Sequence, residues 1–160
     1  MILAFSITFA VSILILLFFH LYRRRFSAFE LVLLFLLTSY LCQNTFYKLF
    51  SPYDRISIAD SLWAKISVKL HFGVILPALL IGILYLSLSK NELSKSFSII
   101  GWVAFIVASE RYYLSMGILE RNSKNWYPVI DIVFALIVVF ITFVIKKYIN
   151  RLLMRERMQT

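Results

Sequence analysis

The stretch Phe105–Ile118 reads FIVASERYYLSMGI and sets Glu110 and Arg111 inside a mainly apolar run. Hydrocarbon is a poor solvent for formal charge; an ionisable side chain at mid-membrane costs about 3 kcal/mol on insertion scales. Three readings follow. The stretch is the end of a membrane span, a structural charge pair inside a bundle, or a functional site. Choosing among them requires the rest of the chain.

The 160 residues are 61% hydrophobic, 17% aromatic and only 16% charged. A soluble domain is nearer to about 45–50% apolar and about 25% charged. The excess falls in blocks, at 1–22, 29–47, 70–88, 97–118 and 126–145. Each is long enough to cross a hydrocarbon core of about 30 Å, which takes about 20 residues at 1.5 Å rise. The expected fold is therefore an all-α integral membrane protein, a single five-transmembrane-helix bundle over residues 1–160. No internal repeat or low-complexity tract interrupts it. The first block does not read as a cleavable signal peptide, because Arg23-Arg24-Arg25 follows the apolar run instead of preceding it. Cys42 is the lone cysteine and lies within a block, so it reports little about redox compartment.

The net charge of +9 is distributed unevenly. Lys and Arg beside spans mark the cytoplasmic side. Arg23–Arg25, then Lys90 and Lys95, then Lys146, Lys147, Arg151, Arg155 and Arg157 all fall on one side of a five-span chain. The other side mixes Lys48, Arg55, Lys65, Lys69, Arg121 and Lys124 with Asp54, Asp60 and Glu120. The expected orientation is N-terminus outside and C-terminus cytoplasmic, in a bacterial plasma membrane. Basic charge split among membrane borders, without a binding motif, argues against a nucleic-acid partner.

Local signals refine the boundaries. Asp60-Ser61 supplies N-caps for a third helix that starts near Leu62 and enters hydrocarbon around Leu70. Gly73 and Pro77 predict a kink, since proline removes a helix hydrogen bond. Pro128 suits the first turn of the last helix. Residues 146–160 keep helical spacing, with Ile149, Leu152 and Leu153 on one face and Lys147, Arg151 and Arg155 on another. This tail reads as a short amphipathic helix on the cytoplasmic leaflet, where Lys146, Lys147, Arg151 and Arg155 meet anionic lipid headgroups. The plain alternative is a solvated end that only sets topology.

The polar residues inside the spans gather in one layer. Glu110 lies roughly 20 Å past Phe97, and Asp131 roughly 7 Å below Trp126, at 1.5 Å per residue. Thr38, Ser39, Cys42, Gln43 and Asn44 occupy the outer half of the second block, with Lys69 and His71 at the outer border of the third. The layer defines a candidate polar pocket of Glu110, Asp131, His71, Lys69, Arg111, Gln43 and Asn44. Each member also has a structural reading. Lys69 can snorkel to the interface. His71 can be a satisfied helix–helix contact, and Gln43 and Asn44 commonly join helices by hydrogen bonds. Tyr112, Tyr113, Trp126 and Tyr127 suit an aromatic belt. Glu110 and Asp131 should face the interior in pairs. Glu110 and Arg111 are adjacent and point about 100° apart, so they do not form a salt bridge with each other. No metal-ligand spacing such as H-E-x-x-H is present, and no metal or other cofactor is expected.

The order Gly101-Trp102, Glu110, Gly117, Asn125-Trp126, with LHFGVILPALL (Leu70–Leu80) upstream, resembles an uncharacterised family of small multi-span membrane proteins of endospore-forming Firmicutes. The resemblance covers roughly Asn44 to Asp131. The loop ERNSKNW departs from the Gly-Trp-Asn form of that family. The resemblance implies the multi-span architecture and singles out Glu110, but no reaction. Three functions fit the residues. The first is a non-enzymatic accessory, sensor or partner-binding component, with a membrane-protein partner or a second copy of itself. The alternative is a small transporter or ligand-binding protein with an outward-facing pocket. The third is an intramembrane lipid-modifying enzyme using Glu110 with His71 as acid and base.

Overall fold

The computed structural model describes residues 2–50, 56–87, 92–122 and 128–157, with side chains at 2–45, 56–87, 93–122 and 129–154. The elements run α1 (Ile2–Tyr22), α2 (Ala28–Phe50), β1 (Ile56–Ile58), α3 (Leu62–Leu70), a π-helical turn (His71–Ile75), α4 (Leu76–Ser87), α5 (Glu92–Ser115), β2 (Leu119–Arg121) and α6 (Pro128–Arg157). Among the described residues, five helical segments are long and apolar enough to cross a membrane, with α3, the π turn and α4 acting as one segment, Leu62–Ser87. That segment is the centre of the bundle. It packs against α1, α2 and α5, and α6 closes against α2 and α5.

The helix ends follow from local chemistry. Ser27 caps α2 by accepting the Glu30 N–H at 3.2 Å, and Ser61 caps α3 by accepting the Ala64 N–H at 3.1 Å. The third helix starts at Leu62 as expected. The fourth block ends at Ser115 instead of Ile118. Gly117 takes a left-handed φ of 66°. Its N–H donates to Leu114 O, and the Ile118 N–H donates to Tyr113 O. This double closure stops the helix and needs a residue tolerant of positive φ.

Two corrections concern the architecture. It is not purely α: β1 and β2 pair antiparallel, with Ile56 opposite Arg121 and Ile58 opposite Leu119. This ribbon joins the two loops at one end, and Ile56, Ile118 and Leu119 bury there. The basic tail is also not a separate helix. α6 continues unbroken through the residue 145 boundary to Arg157, and Ile149 packs with Phe26 and Leu31. No glycine or proline in 129–157 would break it.

Large apolar side chains cover the exterior: Leu17 is 72% exposed, Phe140 69% and Leu3 69%. The α1 contact stripe is instead small, Ala4, Thr8 and Ser12 at four-residue spacing. Such small residues let the helix backbones approach closely.

Candidate functional site

The site is organised by a break in the central segment. Pro77 has no N–H to give Gly73 O four residues earlier. Ser39 of α2 donates to that carbonyl at 2.8 Å, and Gln43 Nε2 donates to Ser39 Oγ at 3.2 Å. A neighbouring helix thus supplies a donor to this backbone carbonyl. Gly73 leaves room for the Gln43 amide: a Cβ there would lie 2.5 Å from Gln43 Nε2 and would displace that side-chain end. The expected kink takes the form of a π turn, closed by the Leu76 N–H donating to His71 O. Trp102 Nε1 on α5 donates to Leu76 O at 3.3 Å, tying the far side of the break.

The π turn directs His71 into the core, where it is 2% exposed. Its Nε2 lies 3.0 Å from Ser109 Oγ, which also lies 2.8 Å from Ile106 O. The tautomer of the imidazole sets which of His71 and Ser109 donates. Phe72, Phe105 and Tyr113 surround the imidazole, with Tyr113 edge-on at 5.0 Å. On α1, Thr8 Oγ1 lies 2.9 Å from Ala4 O and shares a hydroxyl–hydroxyl hydrogen bond of 3.1 Å with Tyr113 Oη. These bonds tie α1, the π turn and α5 together at one level. Tyr113 is 3% exposed, so it belongs to the interior and not to an aromatic belt. Tyr112 is half-buried beside it, and Trp126 and Tyr127 lie outside the described residues.

The candidate residues separate into inward and outward sets. Glu110 is 5% exposed and Asp131 1% exposed, both turned into the bundle from α5 and α6. Arg111 is exposed, as the angular offset from Glu110 requires. Lys69 is exposed, so it is not in the pocket grouped with His71: two residues along a helix rotate a side chain by about 200°. Gln43 is exposed at its margin and contributes through Ser39. Asn44 donates back to Tyr40 O at 2.9 Å on its own helix. Lys48 lies outside the described side chains.

The opposite end holds a second polar contact. Lys146 is 8% exposed, with Nζ 5.3 Å from the Phe26 ring centroid and an attraction to Glu30, itself 8% exposed. Lys146 therefore faces the bundle and does not join the headgroup set. Lys147 and Arg151 are exposed, and the Arg155 side chain lies outside the described ones.

Ser109, Thr8 and Glu30 were not singled out from sequence. Serine and threonine are too common in helices to signal a cross-helix bond. Glu30 carried a usable signal, since Ser27-Ala28-Phe29-Glu30 has capping-box spacing. Chemically, Ser109 and His71 stand at nucleophile–base distance. The hydroxyl also lies within hydrogen-bond distance of the Ile106 carbonyl, however, and the imidazole is enclosed by aromatic rings. The pair works as a tie between helices. Among the described residues, no group of three His, Cys, Asp or Glu side chains is placed to hold a metal ion.

Comparison with protein-family models, curated proteins and solved structures finds no match to this chain.

Proposed function

We propose that the chain is a multi-pass protein of a bacterial plasma membrane, with the Ile2 end outside and the basic ends of α1 and α6 cytoplasmic. It serves there as a non-enzymatic accessory, sensor or partner-binding component. Five helices of spanning length, an apolar exterior and the basic bias at one end support the membrane reading. One observation carries the functional reading. Polar side chains of the layer near the ribbon bond across helices, as in Thr8–Tyr113, His71–Ser109 and Ser39–Gly73. They organise a bundle and do not present reactive groups. α5 also presents Gly101, Ala104 and Ala108 at its exterior, at a spacing that admits another helix backbone.

The test is purification from the native membrane in mild detergent. A stoichiometric membrane protein or a second copy of the chain is the expected companion. A chain that runs as a monomer with no companion contradicts the reading.

A transporter or ligand-binding role is the second reading, favoured by the broken central segment and by the inward carboxylates Glu110 and Asp131. Glu110→Gln separates the two. If the variant folds normally and keeps its companion but the cell phenotype is lost, the ligand-binding reading gains. If folding fails, the carboxylate is structural.

A further inference from the structure

We infer that the end of the bundle opposite the ribbon binds anionic phospholipid headgroups through cations that the fold gathers from both termini of the helical core. The inference rests on the membrane reading above and adds a ligand class to it. Arg23, Arg24 and Arg25 follow α1, and Lys147 and Arg151 belong to α6, more than a hundred residues later. Packing of Phe26 and Leu31 with Ile149 brings the two segments to one level. All five cations are exposed. Arg25 is steadied over the Tyr85 ring at 5.1 Å, which fixes part of the basic surface to α4 as well. Among the described side chains, the acid at this level is Glu30. It is buried and attracted to Lys146, so it does not neutralise the outward charges.

The neighbouring exterior identifies the source of the negative charge. Leu21 is 44% exposed, Phe29 66% and Tyr148 63%, at the same level as the cations. Free phosphate would use the cations and leave this apolar surface bare. A phospholipid uses both, laying acyl chain against the apolar side chains while its headgroup meets Arg and Lys. Lys146, which the sequence pattern groups with these cations, is excluded because it faces Phe26. Arg23–Arg25 take its place.

The test uses the full chain reconstituted in phosphatidylcholine vesicles with trace spin-labelled lipid. The immobilised fraction is compared for phosphatidylglycerol and phosphatidylcholine labels. The expected result is a preference for the anionic label of about five-fold, the effect of roughly one basic residue at an anionic surface. It should fall towards one in the variant Arg23→Gln, Arg24→Gln, Lys147→Gln, Arg151→Gln, and in high salt. The immobilised phosphatidylcholine fraction checks that this variant still inserts; should it not, the pairs Arg23→Gln, Arg24→Gln and Lys147→Gln, Arg151→Gln are each expected to lower the preference. Arg111→Gln with Lys69→Gln, at the other end, should leave the preference unchanged. Added inorganic phosphate at matched ionic strength should not compete. Equal association of the two labels, or a preference that survives removal of the cations, overturns the inference while leaving the membrane reading intact. A wild-type chain that immobilises neither label overturns both.

Discussion

At the scale of single residues, the buried hydrogen-bonding groups find partners on neighbouring helices. Ser39 matters because it donates to Gly73 O, whose α-helical donor position is occupied by Pro77. Ser39→Ala should destabilise the bundle by about 0.5–1.5 kcal/mol, the range for hydrogen bonds between membrane helices. Reversible unfolding of the purified protein in mixed micelles measures it. Gly73→Ala should cost a similar amount by pushing the Gln43 amide off Ser39. That cost should shrink in a Gln43→Ala background, because the atom in the way is then gone. Ser109→Ala should leave the buried His71 Nε2 without its hydrogen-bond partner, a loss of about 1–2 kcal/mol in the same assay. Outside the spans, the Lys65 ammonium beside Asp60 holds its carboxyl below the usual carboxylate range, by hydrogen bond and then by charge. The sign is that of a depressed acid: the contribution is present above the unfolded pKa and is lost as pH falls through the folded one. The pair is solvent-exposed, so Asp60→Asn should have a small effect that vanishes in salt.

At the scale of elements, the division between what was legible and what was not has physical causes. A run of about 20 apolar residues is a strong signal, so five helices of spanning length and the Ser61 cap are legible directly. The β ribbon is not. Three residues on each side, Ile56–Ile58 and Leu119–Arg121, carry little pattern, and their pairing spans a distance in sequence that no local rule covers. Inward and outward sides of a span are also hard to assign when both are apolar. That is why Lys69 and Tyr113 were misplaced while Glu110 and Asp131, whose charge demands an interior, were expected inside. The π turn was legible only as a break at Gly73–Pro77. Its consequence, that His71 turns to Ser109, depends on the neighbouring helix. A double-mutant cycle tests the coupling at the break. With Pro77→Ala restoring the N–H, Ser39→Ala should cost at least about 0.5 kcal/mol less than in the parent. Equal costs in both backgrounds would mean that Ser39 does not replace the missing donor. Gly117→Ala should cost about 1–2 kcal/mol by the penalty for left-handed backbone, read in the same unfolding assay.

At the scale of the whole molecule, one packed cluster runs along the central segment from Ala64 to Ile83 and takes in the ribbon residues Ile56 and Leu119, while a second joins Phe26, Leu34, Ile81, Leu84 and Ile149 near the basic ends of α1 and α6. The ribbon lies at one end of the bundle and the exposed cations Arg23–Arg25, Lys147 and Arg151 at the other, a polarity that suits the proposed orientation in a bilayer. The most direct measurement is labelling of intact cells by a membrane-impermeant maleimide. Cys42 is buried and is first replaced by Ala, leaving single cysteines introduced as Arg24→Cys or Asn122→Cys. Asn122, beside the ribbon, should label in intact cells, and Arg24 should label only after permeabilisation. Labelling of Arg24→Cys but not Asn122→Cys in intact cells would contradict the orientation. Labelling of both would contradict a bundle that crosses the membrane between them.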